Sequence, residues 1–410
     1  MKRKLILISI LSVSLILLLF TLSPEIRWEI GKTLQIKSGT TPTIKDPNVI
    51  IEEVVVGVND VSSFDFLSEN ELLFLEKSKG DVRLIKNGIL QDKPIYKFQN
   101  VSSSVESGLL GIVISQNDVY IYVTELNSLT GDTQNNIYKF QWDGEKLINK
   151  QLVTILPANS CCHHGGYMIK DNDNNILAVI GDLEKVRHSG IVGPLQNAKT
   201  GELDDTSAII IVEHEKDVLY PSKSKNPTNH YFAIGIRNSF GMAIDPLNGN
   251  LWDTENGQNS NDEINLVNPK FNSGWAVVQG LAKANSINLI PKFENFEYSD
   301  PEFSWEKVVA PTGIAFAGEL WGEKYENSIF VGDYIYGNLY KFELNSSRDA
   351  FIFKNDELKD LVLNADDNPD EIIFGHSFGR ISDIKFSSDG SLYVATHLNN
   401  GAIFKLKLND

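Results

Sequence analysis

The chain beyond residue 50 repeats one pattern of apolar and polar positions. An apolar strand, a turn rich in Asp, Asn and Gly, and a second apolar strand follow one another, often with a second turn and a third strand. Copies of the pattern occupy residues 64–85, 109–125, 166–182, 242–255, 314–344 and 381–406. The turn residues tolerate positive φ, as tight hairpins require. The pattern therefore predicts an all-β protein built from six small antiparallel sheets.

The spacing of the copies indicates how the sheets are arranged. Their starts lie about 63 residues apart on average, which exceeds the ~40–50 residues of the simplest propeller repeats. The additional residues lie between the copies, as expected if loops on one face are enlarged around a site. Six similar antiparallel units in a radial arrangement form a six-bladed β-propeller. A β-sandwich is the alternative, but six similar hairpin units favour the propeller.

The first residues have the pattern of a targeting signal. Three basic residues at positions 2–4 precede an uncharged run, and residues 5–22 of that run would form about 27 Å of helix, just enough to span a bilayer. No small-x-small cleavage site follows, which favours an uncleaved anchor over a cleaved signal peptide. We predict an anchor or signal at residues 1–24, a linker at 25–50 and the propeller at 51–410. The basic flank would stay inside, so the propeller would lie on the extracytoplasmic side, or be secreted if the N-terminus is cleaved.

Composition narrows the class of partner. The 410 residues include 37 Lys and Arg against 54 Asp and Glu, giving a net charge of −17. Such an acidic surface would repel phosphates and argues against nucleic acid as a partner. Two cysteines are too few for a disulfide scaffold or a multi-cysteine zinc framework.

The first candidate site is the loop at residues 161–166, directly before the third copy. His163 stands two positions before a pair of glycines, which let a flat ligand approach closely, and a histidine can act as a general base near neutral pH. The structural alternative is a polar loop that ends in hairpin glycines. A metal site made of Cys161, Cys162, His163 and His164 is disfavoured, because neighbouring side chains diverge. The two cysteines could instead form a vicinal disulfide in an oxidising compartment.

Two further loops carry polar residues in unusual settings. Arg237 lies between apolar runs, with glycines at 235 and 241, and its planar fork of donors suits carboxylate or carbonyl oxygens. An ordinary surface arginine is the alternative.

Residues 255–263 are rich in carboxylates and carbonyls, which are typical ligands of Ca²⁺, although the spacing is not that of an EF-hand.

At these three loops the chain resembles the soluble quinoprotein glucose/sorbosone dehydrogenase family. Its members are aldose sugar dehydrogenases that use pyrroloquinoline quinone (PQQ) and calcium. The similarity extends from about residue 61 to residue 406 and rests on six motifs in the expected order. They are ESGLLG at 106–111, HxGG at 163–166, RNxxG at 237–241, the stretch 255–265 that ends in DEIN, APTG at 310–313 and GRISD at 379–383.

The resemblance implies a role for each matching residue. His163 would take the proton from the anomeric hydroxyl of an aldose while a hydride passes from that carbon to the quinone. Arg237 would hold the quinone oxygens and stabilise the developing charge. Other residues would contact the metal, the cofactor and the sugar. The carbonyls of Gly257 and Gln258 would bind Ca²⁺. PQQ would be contacted by Asn238, Asn256, Asp262 and Arg380, and the sugar by Glu106 and Trp305.

The chain departs from the family pattern where cations would bind PQQ. Tyr167 stands where some members have arginine, Ser382 takes the place of a second cofactor arginine, and residues 335–337 show no counterpart of the lysine that binds PQQ. PQQ carries three carboxylates, and each lost charge-assisted contact is worth on the order of 1.5–3 kcal/mol. The resemblance thus implies a PQQ- and Ca²⁺-dependent sugar dehydrogenase with an external electron acceptor. The alternatives are a non-catalytic propeller that binds carbohydrate or protein, and a Ca²⁺-dependent propeller hydrolase or lactonase.

The N-terminal run generates a first prediction. In its native host the full chain is expected to fractionate with membranes, because residues 5–22 are long and apolar enough to stay in a bilayer. A version that starts near Ile44 is expected to remain in the soluble fraction. Immunoblotting of both fractions, with N-terminal sequencing, checks this, and an intact N-terminus in the soluble fraction would contradict it.

Overall fold

The strands of the body follow the hairpin copies closely. The computed structural model describes residues 41–127, 130–184, 203–212, 217–293, 295–397 and 400–409. In chain order its strands are β1 Thr43–Ile44, β2 Val49–Val58, β3 Val61–Ser68, β4 Glu71–Glu76, β5 Asp81–Lys86, β6 Ile89–Leu90, β7 Tyr96–Lys97, β8 Leu109–Ser115, β9 Asp118–Leu126, β10 Thr133–Trp142, β11 Leu147–Pro157, β12 Met168–Lys170, β13 Ile176–Ile180, β14 Ala208–Val212, β15 Tyr231–Ile234, β16 Ser239–Ile244, β17 Leu251–Glu255, β18 Asp262–Val267, β19 Phe271–Asn272, β20 Glu297–Tyr298, β21 Phe303–Trp305, β22 Pro311–Phe316, β23 Ser328–Asp333, β24 Leu339–Glu343, β25 Val362–Leu363, β26 Ile373–His376, β27 Ile381–Phe386, β28 Leu392–Thr396 and β29 Gly401–Leu408. Helical structure in the described ranges consists of short 3₁₀ turns at Pro221–Lys223, Pro227–His230, Ile287–Leu289, Glu319–Trp321, Asp356–Leu358 and Pro369–Glu371.

The described strands group into six sheets, numbered here in chain order of their first inner strand. Sheet 1 contains β3–β7, sheet 2 contains β8–β11, sheet 3 contains β12–β15 with β19 and β20, sheet 4 contains β16–β18 with β21 and β25, sheet 5 contains β22–β24 with β26 and β1, and sheet 6 contains β27–β29 with β2. Each hairpin copy predicted from the sequence lies in a sheet of its own.

The sheets are arranged around a common centre. Each contributes its first strand (β3, β8, β12, β16, β22 or β27), and each of these strands contacts the corresponding strand of the next sheet until the ring returns to β3. Mostly antiparallel sheets in a ring are the architecture of a propeller. The prediction of an all-β propeller is therefore confirmed.

The hydrophobic core is divided among the spaces between neighbouring sheets. Six clusters of buried side chains each combine residues of two adjacent sheets. Between sheets 4 and 5, for example, Trp252 and Phe303 pack with Phe342, and all three are almost fully buried. Each sheet thus buries both faces, which explains why apolar residues fill consecutive positions of the inner strands.

The two ends of the described body pair with each other. Strand β2 runs antiparallel to β29, from the Val49–Leu408 pair to the Val58–Gly401 pair, so sheet 6 joins the start and the end of the propeller. Strand β1 pairs with β26 of sheet 5. The last residues of the predicted linker at 25–50 therefore belong to the sheets, because the apolar side chains of Ile44 and Val49 pack into the cluster between sheets 5 and 6.

Residues 42–410 form one compact unit. Within the described ranges, no helix has both the length and the apolar character needed to cross a bilayer. The apolar run at residues 5–22, predicted as an anchor, lies outside the described residues.

The close contact between sheets 2 and 3 generates a second prediction. A Cβ on Gly111 would lie 2.0 Å from the carbonyl oxygen of Gly166, so Gly111→Ala must push the inner strands apart. We expect it to lower the free energy of unfolding by about 1–3 kcal/mol, the usual range for overpacking. Gly318→Ala is the matched control, since its Cβ would meet no atom within 4 Å. Calorimetric melting that shows equal stability for both variants would contradict the argument.

Candidate functional site

The loop before sheet 3 is held by side chains that accept its backbone donors. Glu106 accepts the N–H of His163 through Oε2 at 2.7 Å. Asn159 accepts the N–H groups of both Cys161 and Cys162 through Oδ1, each at 2.8 Å. His163 itself adopts a left-handed backbone, with φ of 57°. These contacts fix the direction in which the His163 side chain leaves the loop.

The imidazole of His163 is bound at both nitrogens. Its Nδ1 lies 2.5 Å from Oδ1 of Asp182, and its Nε2 lies 3.1 Å from Nη2 of Arg237. Because a guanidinium can only donate, Nε2 must accept, and Nδ1 must carry the proton that Asp182 accepts. The partners therefore select the tautomer whose Nε2 lone pair is available to take a proton.

Asp182 remains an anion despite its burial. Burial would raise the pKa of this carboxyl, but hydrogen bonds with His163 and Trp275 and the charge of Arg237 lower it below its ordinary value. The indole N–H of Trp275 donates to Oδ2 of Asp182 at 2.9 Å. A buried carboxylate fixed in this way orients the imidazole and stabilises its charged form.

Arg237 is fixed on three sides. Its Nη1 donates to the carbonyl oxygen of Asn256 at 2.7 Å, and its backbone N–H donates to Oε1 of Glu255 at 2.6 Å. The guanidinium carbon lies 5.4 Å from the ring centre of Trp275. Burial lowers the pKa of Arg237, and the carboxylates of Asp182, Glu106, Glu255 and Asp262 oppose that shift. The Nε atom is buried and has no hydrogen-bond partner within the described ranges.

A cavity of about 400 Å³ opens beside these groups. This volume suits a small ligand. The residues that line it are His163, Asp182, Glu184, Arg237, Gln258, Asn259 and Trp275. Three of the predicted site residues, His163, Arg237 and Gln258, are thus brought together by loops of different sheets.

Two predicted cofactor residues lie buried next to this group. Asn238 donates from Nδ2 to Oε2 of Glu106 at 3.2 Å. The Oδ1 atoms of Asn238 and Asn256 are both buried without a partner among the residues that the structure describes. Both oxygens can therefore accept a hydrogen bond from a ligand or from water.

Asp262 holds the predicted calcium loop in shape. Its Oδ1 accepts the N–H of Gly257 at 2.8 Å, and its Oδ2 accepts the N–H groups of Val309 and Ala310 at 2.6 and 2.8 Å. Burial raises the pKa of Asp262 to about 6. The carboxylate therefore connects residues 257 and 309–310, and its contacts in the structure are all to backbone.

Three more acids lie beneath this loop. Glu255 and Glu263 are cross-strand partners in β17 and β18, and Asp253 lies two positions before Glu255. Burial raises the pKa of each of the three carboxyls. Burial therefore favours the neutral, protonated form of these acids.

Trp305 is not among the residues that line this cavity, and its contact with substrate stays a prediction. Its side chain is 0% exposed and packs against Phe303, Tyr340 and Phe342 between sheets 4 and 5. The reason is the inward position of β21, where an indole fills core volume.

Two other predicted residues have different surroundings from those expected. The half-buried Arg380 donates from Nη1 to the hydroxyl of Tyr334 at 3.1 Å and lies over its ring, and it does not line the cavity. Glu106 is half-buried, and its Oε2 anchors the backbone of His163 and the side chain of Asn238. Through these two contacts Glu106 positions His163 and Asn238.

The structure separates the two adjacent histidines. His164 is 0% exposed, with Nε2 3.2 Å from the hydroxyl of Ser107 and Nδ1 3.2 Å from Oδ1 of Asn135. Burial lowers the pKa of His164 to about 3. His164 is therefore a neutral core residue, whereas His163 lines the cavity.

The two cysteines form the vicinal disulfide that the sequence left open as an alternative. The metal site made of both cysteines and both histidines is not formed, because His163 is bound by Asp182 and Arg237 and His164 points into the core.

Sequence reasoning missed Asp182, Trp275, Glu184 and Asn259. Asp182 lies just after β13, at the end of the third copy, and a carboxylate at a strand end is a signal that could have drawn attention to it. Its partner His163 is 19 residues away, and Trp275 is 93 residues away, so the chain alone does not reveal the contacts.

Comparison with known proteins identifies the family of this chain. The family profile for glucose/sorbosone dehydrogenase matches residues 59–405, which confirms the family predicted from the motifs. An uncharacterized protein of Synechocystis sp. is 23% identical, over 88% of this chain and 87% of that protein. The aldose sugar dehydrogenase YliI of Escherichia coli is 21% identical, over 83% of this chain and 88% of that protein. The PQQ-bound structure of an aldose sugar dehydrogenase from Streptomyces coelicolor superposes with a TM-score of 0.62 at 20% identity, over 90% of this chain and all of that one.

The two-sided binding of the His163 ring generates a third prediction. In Asp182→Asn an amide replaces the carboxylate that accepts the Nδ1 proton of His163. We therefore expect the fraction of His163 in the Nδ1–H tautomer to fall. Nitrogen NMR of histidine-labelled protein distinguishes the tautomers. Asp366→Asn, at an exposed position, is the control. An unchanged His163 spectrum in Asp182→Asn would contradict the assigned role of Asp182.

Proposed function

The chain belongs to the glucose/sorbosone dehydrogenase family, and on that premise we propose that it is a PQQ- and Ca²⁺-dependent oxidoreductase that oxidises an aldose sugar at the anomeric carbon. One observation carries the proposal. The imidazole of His163 is held by the Asp182 carboxylate at Nδ1, and its Nε2 lies beside Arg237 at the wall of a small cavity. A base next to a cation is what the removal of a proton from a sugar hydroxyl needs.

The residues present fit a polar cofactor that carries both acceptors and donors. Arg237 has a buried Nε–H donor without a described partner, and the Oδ1 acceptors of Asn238 and Asn256 lack one as well. These three residues would hold PQQ, and Arg380 would pair with one of its carboxylates. When bound, PQQ would supply the acceptor for the hydride of the anomeric C–H group. The PQQ-bound relative from Streptomyces coelicolor supports this choice of cofactor.

The lack of further cations predicts modest affinity for PQQ. Tyr167 is buried and donates its hydroxyl to Asp383 at 3.2 Å, so it cannot replace an arginine at the cofactor. Ser382, which occupies the other position, is neutral. Binding would therefore depend more on Arg237 and on a metal ion than in relatives that keep those arginines.

The carbonyls of Gly257 and Gln258 would ligate Ca²⁺, a hard cation that prefers oxygen. Gln258 lines the cavity, and Asp262 holds the N–H of Gly257 so that the loop keeps its turn. Ca²⁺ would supply Lewis-acid polarisation of a bound carbonyl.

The proposed catalysis by the chain's own residues begins at Nε2 of His163. It would accept the proton of the anomeric hydroxyl, with Nη2 of Arg237 beside it to stabilise the developing charge on the sugar oxygen. Asp182 stabilises the resulting imidazolium through Nδ1, and Trp275 keeps Asp182 in place. Loss of the proton makes the anomeric carbon a hydride donor, and the sugar leaves as a lactone. An external electron acceptor would then restore the cofactor.

We further infer that each of the six sheets is one blade of a six-bladed propeller, with the site among the loops of sheets 3 and 4. We also propose that the domain works outside the cytoplasm, attached to the membrane by residues 5–22 or secreted.

A matched pair of variants tests the identity of the base. After reconstitution with PQQ and Ca²⁺, His163→Gln is expected to lower kcat for aldose-dependent dye reduction by about 10²–10⁴-fold, the usual contribution of a positioned base. His164→Gln should retain most activity, since an amide can keep contacts with Ser107 and Asn135. Arg237→Gln should weaken both PQQ binding and turnover.

Other results would redirect the proposal. Loss of activity in His164→Gln alone would mean that the base is wrongly identified. A chelator that changes neither the melting temperature nor activity would remove Ca²⁺ from the proposal, because a ligand that binds only the folded state raises its stability. A wild type that binds a sugar but reduces no dye would favour the non-catalytic propeller.

A further inference from the structure

We propose that Cys161, Cys162 and Glu184 form a redox-gated site for one thiophilic divalent cation, such as Zn²⁺ or Cd²⁺, at the rim of the cavity. The two Sγ atoms and a carboxylate oxygen of Glu184 all lie within 4.8 Å of one another. Glu184 also lines the cavity, and Cys162 directly precedes His163. The proposal does not depend on the proposed sugar oxidation.

The arrangement of the three residues is maintained by Asn159 and not by the disulfide alone. Its Oδ1 accepts the N–H groups of Cys161 and Cys162, each at 2.8 Å. Its Nδ2 donates to the carbonyl oxygen of Leu183 at 2.7 Å, and the N–H of Glu184 donates to Asp182 at 2.8 Å. One side chain thus joins the cysteine loop to the segment that carries Glu184. Because these contacts are made by backbone groups, we expect them to persist when the disulfide is reduced.

The ligand set selects a soft or borderline cation. Two thiolates and one carboxylate are ligands of Zn²⁺, at about 2.3 Å for sulfur and about 2.0–2.2 Å for oxygen. A tetrahedral ion of that size places its ligands ~3.8 Å apart or less. On reduction the two bonded sulfurs must move apart to that spacing, while the Glu184 carboxylate, whose oxygen lies within 4.8 Å of both, must move closer. Water would fill the fourth position. Ca²⁺ would not compete, because it prefers oxygen ligands.

Oxidation state controls whether the site exists. In the disulfide, neither sulfur is a thiolate, and the site cannot hold a metal. A dithiol reductant transfers two electrons to the disulfide, each sulfur takes up one proton, and the reductant becomes its own disulfide. Metal binding then releases those two protons from the thiols.

The test uses the full chain, either oxidised or reduced with a dithiol that is then removed without air. Cd²⁺ is titrated while the ultraviolet charge-transfer absorbance of cadmium thiolate is followed. We expect one equivalent to bind to the reduced protein and none to the oxidised protein. Replacing both cysteines by serine should abolish the absorbance. Glu184→Gln should raise Kd by at least ~10-fold, whereas Glu145→Gln, at an exposed turn, should not.

Three results would overturn the proposal. In the first, reduced wild type shows no cadmium thiolate absorbance. In the second, oxidised protein binds Cd²⁺ as well as reduced protein does. In the third, Glu184→Gln and wild type bind Cd²⁺ with equal affinity. If the double serine variant fails to fold, alkylation of the reduced wild type replaces it, and alkylated protein that still shows the absorbance would also overturn the proposal.

Discussion

The candidate site depends on one buried carboxylate. Asp182 accepts Nδ1–H of His163 and the indole N–H of Trp275, and its backbone N–H donates to the carbonyl oxygen of Arg237 at 2.9 Å. It also accepts the N–H of Glu184. Three segments that are distant in sequence therefore converge on one residue just after β13. A charge in a low-dielectric setting orders its partners more strongly than it would in water. Asp182 therefore determines where His163 and Arg237 lie.

The site contrasts with the core that supports it. Between the sheets most buried side chains are apolar and close-packed, whereas the cavity is lined mostly by polar and charged side chains, and residues beside it hold unusual backbone angles. His163, Leu183 and Glu184 all have φ between 51° and 57°, a left-handed conformation that residues other than glycine seldom adopt. Such features persist only where the surrounding structure enforces them, and they concentrate at functional sites. The propeller supplies that rigid frame.

The sequence predicts the frame better than it predicts the site. Hairpin copies with their own turn residues are local signals, so each could be located, and each lies in a separate sheet. His163 and Arg237 could be predicted because both belong to short motifs. Trp305 was predicted to face the sugar but packs in the core between sheets 4 and 5, because a large aromatic residue can face either a ligand or the core and only packing decides. Asp182 and Trp275 were missed because their contacts join loops of different sheets, and a single sequence contains no record of such pairs.

The charges around the cavity limit how an anionic cofactor could be held. Among the residues that line it, Asp182 and Glu184 are acidic and Arg237 is the cation, while burial lowers the pKa of Arg237. The whole chain carries a net charge of −17, so the surrounding potential is unfavourable for carboxylates. Under the proposed function, Ca²⁺ at the carbonyls of Gly257 and Gln258 would therefore do more than polarise a carbonyl. It would supply the positive charge that this chain lacks where its relatives' pattern has arginine, which makes metal and cofactor binding mutually dependent.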